Sequence, residues 1–209
     1  MRVVIFGATG RAGSRILQEL LRRRHQIIAV ARDAQPSRPP DGVEWKVDDL
    51  STVQHIVETI RGADAVVSAY APPGTSTDDL VGVCQRLAKA VDLGGVPRLL
   101  VVGGAGPLKV APGITLIQSG KLPPEWVPIA VSHQKALLAL QGTSVDWTYI
   151  SPAAFFEPGE RTGRYRTSKD TLITNEQGDS RISMEDYAIA LVDELEAPNH
   201  RRDSFAVGW

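Results

Sequence analysis

Residues 2–13 read RVVIFGATGRAG, and this stretch decides the fold. Arg2–Phe6 is a short, β-branched run with the character of a buried strand. Gly7, Gly10 and Gly13 follow at a spacing of three and three. The next segment, Ser14–Arg24, carries Ile16, Leu17, Leu20 and Leu21 at helical period. Strand, glycine turn and helix in this order form the opening unit of a dinucleotide-binding sheet. Gly7 lets the chain leave the strand sharply, Gly10 clears a space for a pyrophosphate, and Gly13 lets helix and strand approach. The helix N-terminus turns free N–H groups and a partial positive charge toward the phosphates.

The same alternation continues outward. Strands are expected over Arg2–Phe6, Gln26–Ala31, Val43–Val47, Ala65–Ala69, Arg98–Val102 and Asp146–Ile150. Helices are expected over Ser14–Arg24, Thr52–Arg61, Asp78–Asp92 and His133–Gln141. Ser51 with Gln54 suggests a capping box for the second helix, and Gly94–Gly95 a stop for the third. Strands alternating with helices imply right-handed crossovers. The expected fold is α/β, a Rossmann-type doubly wound parallel sheet in a single domain over 1–209. Within it, 151–209 reads as a small substrate-side extension, with a helix capped by Ser183 and a closing strand at Ser204–Val207. Pro36–Gly42 reads as an exposed loop. So does the stretch between Val102 and His133, some 30 residues rich in glycine and proline with no evident helix. Loops beyond about 15 residues are usually functional or disordered. This one leaves the carboxyl end of a strand, where ligands bind in open α/β sheets. Its Leu116, Ile117, Leu122, Trp126 and Ile129 could cover a flat apolar ligand or simply pack on one another.

The chain has 209 residues and a formal net charge of -1. Arg22–Arg24 is the only basic run, so nothing points to nucleic acid. No apolar stretch approaches the roughly 20 residues of a membrane span. A single cysteine, Cys84, cannot form an internal disulfide and suits a reducing, cytoplasmic setting. His25, His55, His133 and His200 are scattered without ligand spacing, so no metal is expected. The expected partner is a small-molecule substrate; oligomeric state cannot be read.

The second strand ends in Arg32, where an acidic residue would otherwise hold a ribose hydroxyl. An arginine there suits the 2′-phosphate of NADP. Arg11 and Arg38 could add charge, and Asp33 argues the other way. Asp48 and Asp49 end the third strand, either as helix-capping charges or as acceptors for an adenine amino group.

Several segments together resemble the atypical short-chain dehydrogenases: GATGRAG (7–13), AVARDAQ (29–35), VDDL (47–50), GADAVVSA (62–69), LLVVGGAG (99–106), DWTYISPAAFF (146–156), TGRY (162–165) and RISMEDYAIAL (181–191). Over nearly its whole length the chain is most similar to the bacterial NAD(P)H-flavin reductase group. That group is related to biliverdin-IXβ/flavin reductase and, more distantly, to NmrA-like proteins. The resemblance implies NADPH as cofactor and hydride transfer to a flat acceptor, flavin first and quinone second. It implies phosphate contacts at Gly7, Thr9, Gly10, Arg11, Ala12 and Gly13, a 2′-phosphate contact at Arg32, and adenine contacts at Asp49 and Leu50. Ser68, Ala69 and Tyr70 would lie along the ribose, and Gly103 and Gly104 near the nicotinamide ribose. Ser151, Pro152 and Ala153 would line the nicotinamide.

Carbonyl reductases of that superfamily use Tyr-x-x-x-Lys, the tyrosine donating the proton. Lys135 sits where that lysine would be, and Val131 takes the tyrosine's place. The chain is therefore expected to reduce its acceptor without a Tyr-x-x-x-Lys acid. His133 and Lys135 are the candidate catalytic groups. His133, expected at the start of its helix, either donates a proton or only caps that helix. Two alternatives stay open: an NADP-binding sensor of NmrA-like type, or a biosynthetic ketoreductase or epimerase.

Overall fold

The computed structural model describes residues 1–33, 40–72, 77 and 79–209. Arg38, Asp78 and most of the expected Pro36–Gly42 loop lie outside the described residues.

The central sheet is built from β1 (Arg2–Phe6), β2 (Gln26–Ala31), β3 (Val43–Val47), β4 (Ala65–Ser68) and β5 (Leu99–Val102). Beyond a short hairpin, β6 (Lys109–Ala111) with β7 (Ile114–Thr115), the main sheet continues in β8 (Trp147–Pro152). The extension supplies β9 (Phe155–Glu157), β10 (Arg166–Ser168), β11 (Arg181–Ser183) and β12 (Asp203–Gly208). The eight-stranded order is β10-β12-β8-β5-β4-β1-β2-β3. All pairings are parallel except β10 with β12. The extension therefore completes the main sheet, and its remaining strands, β9 and β11, form a parallel pair of their own.

Helices cover both faces, as buried parallel strands require. α1 (Arg11–Arg22) and α5 (Met184–Glu196) pack together on one face, where Ile16, Leu20, Tyr187 and Leu191 are fully buried. α2 (Val53–Ile60), α3 (Asp79–Gly94) and α4 (Val127–Gln141) cover the other, over Ile56, Leu87, Leu140 and Tyr149. The strand order reverses at β1, which has β2 on one side and β4 on the other. That is the switch point at which open α/β sheets leave a crevice.

Two expectations give way. The stretch 103–132 is not one loop: it contains the β6–β7 hairpin, a 3-10 turn over Pro124–Trp126 and the first turns of α4. α4 starts at Val127 with Pro128 in its first turn, a position where the missing N–H costs nothing. His133 is therefore a mid-helix residue and caps nothing. At α2 the cap is Thr52, whose hydroxyl accepts from the His55 N–H, rather than Ser51.

Candidate active site

The carboxyl ends of β1 to β5 and β8 open into one run of three adjoining cavities. A cavity of about 330 Å³ lies on the β1–β3 side, lined by Gly7, Thr9, Gly10, Arg32, Asp49 and Leu50 among others. It shares Gly10, Ala69, Tyr70 and Ala71 with a central cavity of about 500 Å³. The central cavity adds Arg11, Ala12, Gly103 and His133 with an apolar wall of Trp126, Ile129, Phe155, Phe156 and Met184. A third cavity, of about 200 Å³, continues past His133 to Gly104, Leu116, Leu122, Pro152 and Ala153.

The glycine turn is built for close approach. Gly7 has φ +76°, and a side chain on it would meet the Ala69 carbonyl at 2.5 Å. A side chain on Gly13 would meet the Gly7 carbonyl at 2.0 Å, which fixes how near α1 lies to β1. Gly10 differs, for its missing side chain points toward little but the Gly7 carbonyl at 3.1 Å and leaves the cavity side open. Gly10 caps α1 without a side-chain hydrogen bond, and the first turn of α1 carries no acid. The N–H groups there are free for an anion.

At the adenine end, Asp48 and Asp49 separate in role. Asp48 is buried, accepting from the Leu50 N–H at 2.7 Å and from Thr59 at 3.3 Å. It thereby holds Leu50 in a left-handed conformation, φ +61°. Asp49 points outward, where hydrogen bonds from Ser51 hold its carboxyl below the usual range. Arg32 is largely exposed and meets Asp33 at 3.3 Å. A clasp that sequence reasoning missed braces this end. The Tyr70 hydroxyl donates to Asp79 at 2.8 Å, and Arg86 bridges Asp79 to the Leu50 carbonyl at 3.0 and 2.6 Å. Burial, then the Asp79 carboxylate, pushes the Tyr70 hydroxyl up to about 12. Nothing marked Asp79 or Arg86 in the sequence, because the clasp joins segments far apart in the chain.

At the opposite end, Gly103 and Gly104 make room for Tyr149 and His133. A side chain on Gly103 would meet the Tyr149 ring at 2.3 Å, and one on Gly104 the His133 ring at 2.7 Å. The Tyr149 hydroxyl contacts His133 Nδ1 at 2.9 Å, the His133 carbonyl at 3.1 Å and the Gly104 N–H at 3.2 Å. Burial pushes the His133 imidazole down to about 4, so it is neutral at ordinary pH.

Of the residues implied by resemblance, Ser68 and Ser151 are buried within β4 and β8 and line none of the three cavities. Lys135 is exposed on α4 and also lines none. One Tyr-x-x-x-Lys spacing does occur in the chain, Tyr165 to Lys169. It spans β10 rather than a helix beside the cleft, and the Tyr165 hydroxyl is bonded to Asp193 on α5. Among the described residues, no group of three His, Cys, Asp or Glu is placed to hold a metal. Cys84 is buried in the core, and burial raises its thiol to about 12.

A model of the NAD(P)H-binding family matches residues 7–198. The chain belongs to that family. The match takes in the glycine turn and, but for Phe6, every residue lining the three cavities. "Uncharacterized protein YwnB" of Bacillus subtilis is 40% identical, over 99% of this chain and 98% of its own. A solved structure from Burkholderia pseudomallei, titled "putative exported protein", is 41% identical with a TM-score of 0.92, and each chain is covered in full. The Streptococcus pneumoniae protein SP1627, titled "a putative NADH-flavin reductase", is 32% identical with a TM-score of 0.86, over 100% of this chain and 99% of its own.

Proposed function

We propose that this NAD(P)H-binding chain is a reductase that uses NADPH to reduce a flat conjugated acceptor, flavin first and quinone second. The observation that carries this reading is the composition of the cleft. Its polar arm, with the glycine turn, Arg32 and Asp49, opens directly into an apolar chamber walled by aromatic rings. The likeness to the Streptococcus pneumoniae protein described as "a putative NADH-flavin reductase" supports it.

The residues present fit the cofactor. Gly10 leaves the space a pyrophosphate needs, and the acid-free N-terminus of α1 faces it. Arg11 and Ala12 would carry the phosphates on toward the chamber. Asp49 and Leu50 would hold the adenine, and Ala69 and Tyr70 the ribose. Arg32 would fork the 2′-phosphate, and on this rests the choice of NADPH over NADH. When bound, the nicotinamide supplies a hydride, two electrons and one proton, and a further proton from water completes the reduction of the acceptor. Gly103, Pro152 and Ala153 would border the nicotinamide.

The acceptor would lie against Trp126 and Phe155. Their rings meet edge to face, with centroids 6.1 Å apart, and Arg181 covers Phe155 from outside at 4.6 Å. Such rings favour a flat, polarisable ligand. Tyr70 lines the chamber but donates its hydroxyl proton to Asp79, and His133 is neutral, so the proton comes from solvent. Among the described residues no helix is long and apolar enough to cross a membrane, and we place the reaction in the cytoplasm.

The test is the loss of NADPH absorbance on adding FMN, riboflavin or menadione. Turnover of FMN or riboflavin supports the reading. NADPH binding without turnover of any of the three would overturn it in favour of a sensor.

A further inference from the structure

The contacts around Tyr149 fix the position of a proton. Its hydroxyl oxygen has three polar neighbours: the Gly104 N–H at 3.2 Å, the His133 carbonyl oxygen at 3.1 Å and His133 Nδ1 at 2.9 Å. Gly104 brings its own hydrogen. The other two contacts each need one, and a phenol has only one to give. A carbonyl cannot supply a proton, so the hydroxyl must donate to it. Nδ1 must then carry the second hydrogen and donate to the phenol oxygen. With Nδ1 protonated and the ring neutral, Nε2 is a bare lone pair. The ring borders both the central and the third cavity. The third cavity holds Gly103, Pro152 and Ala153, which would border the nicotinamide, and the central cavity holds Trp126 and Phe155, so the ring faces the space where the acceptor meets the cofactor.

We propose that Tyr149 is a positioning residue that locks His133 as the Nδ1–H tautomer, so that Nε2 presents a hydrogen-bond acceptor to an N–H or O–H group on the electron acceptor. The ligand half of this inference rests on the flavin-reductase reading; the tautomer half does not. Tyr149 is held in turn from three sides. It is fully buried, β8 fixes its backbone, and Gly103 and Gly104 leave the room its ring and its partner need. His133 thus becomes a specificity group. It favours an acceptor with an imide-type N–H edge over a quinone, which has only carbonyl oxygens to offer and would face a second lone pair.

The experiment is 15N–1H correlation spectroscopy on protein labelled at histidine, with NADP+ present and with lumiflavin or 3-methyllumiflavin added. The wild type should show the Nδ1–H pattern for His133, with Nε2 unprotonated. Lumiflavin, which has an imide N–H, should shift the Nε2 signal, and 3-methyllumiflavin should not. In Tyr149→Phe the Nε2–H form should appear, and lumiflavin affinity should fall about three- to tenfold, the scale of one neutral hydrogen bond. An Nε2–H pattern in the wild type overturns the inference without recourse to any variant. Lumiflavin binding that leaves Nε2 unmoved, or a shift shared by both ligands, overturns the ligand half alone. Failure of lumiflavin to bind, read separately by fluorescence quenching, overturns the functional reading and the ligand half with it.

Discussion

Gly13 sits so near Gly7 that a β-carbon on the first would lie 2.0 Å from the carbonyl oxygen of the second. Gly10, between them in sequence, has only a 3.1 Å approach to the same oxygen. Three glycines of one motif therefore answer to different demands: two hold backbone against backbone, and one keeps space free.

This separates two substitutions. Gly13→Ala should cost at least about 1–3 kcal/mol of stability, the range for overpacking against atoms that cannot yield. Gly10→Val should leave the fold intact, because its φ of −71° and ψ of 171° suit a branched residue, and should abolish NADPH binding. Thermal melts and nucleotide titrations on the pair check this. A folded Gly10→Val protein of unchanged affinity would remove the phosphates from the turn.

Nucleotide preference should follow the Arg32–Asp33 pair. Arg32→Ala should weaken NADPH by about 1.5–3 kcal/mol, the range for a hydrogen bond to a charged group, and leave NADH nearly unchanged. Asp33→Asn should move preference the other way, since it frees Arg32 and removes a carboxylate that repels a 2′-phosphate. Equal effects on the two nucleotides would mean that Arg32 does not read the phosphate.

His133→Ala should lower FMN turnover only a few-fold, whereas loss of a general acid typically costs about 10²–10⁴-fold. A drop above a hundredfold at unchanged NADPH affinity would make His133 the acid.

The same histidine should appear in the pH dependence of stability. Its folded value lies near 4 and its unfolded value near 6.5. Below pH 6.5 the unfolded chain takes up a proton that the folded chain refuses. The contribution is thus whole above 6.5 and lost as pH falls toward 4, by roughly 3 kcal/mol. Urea melts of wild type and His133→Gln across that window should diverge, the variant being the less acid-sensitive. Parallel curves would show that His133 is not buried as described.

Asp186 should prove a structural anchor. Fully buried on α5, it accepts from Thr162, from the Gly163 N–H at 2.9 Å and from Trp209 Nε1 at 2.9 Å. Asp186→Ala should cost about 1–3 kcal/mol for each donor left unmet. Faster amide exchange should be confined to the 160–168 segment and the C-terminal strand. An unchanged exchange pattern would contradict the anchoring role.

The parallel strands of the main sheet were legible, most of them because buried parallel strands read as short apolar runs between turn signals, and each of the seven expected strands lies within two residues of its observed bounds. The start of α4 was not. Pro123, Pro124 and Pro128 read as loop, yet prolines are tolerated in a first helical turn. Placing the helix start at His133 made the residue a possible cap, although it already stood among the candidate catalytic groups and does line the chamber. The Tyr149–His133 contact joins a strand to a helix, and no local pattern announces it. The TGRY and RISMEDY segments stood out as motifs. Thr162, Gly163 and Asp186 show what joins them, a buried carboxylate and the backbone turn it holds.

The cleft draws its two ends from different stretches of chain. Its polar arm is lined by residues no later than Asp79, while Trp126, Phe155, Phe156 and Met184 in the chamber wall all come later. Mutations that reshape the chamber can therefore accumulate without disturbing the grip on the nucleotide. A lineage, or a directed library confined to those four positions, can exchange one oxidant for another while the supply of reducing power stays constant.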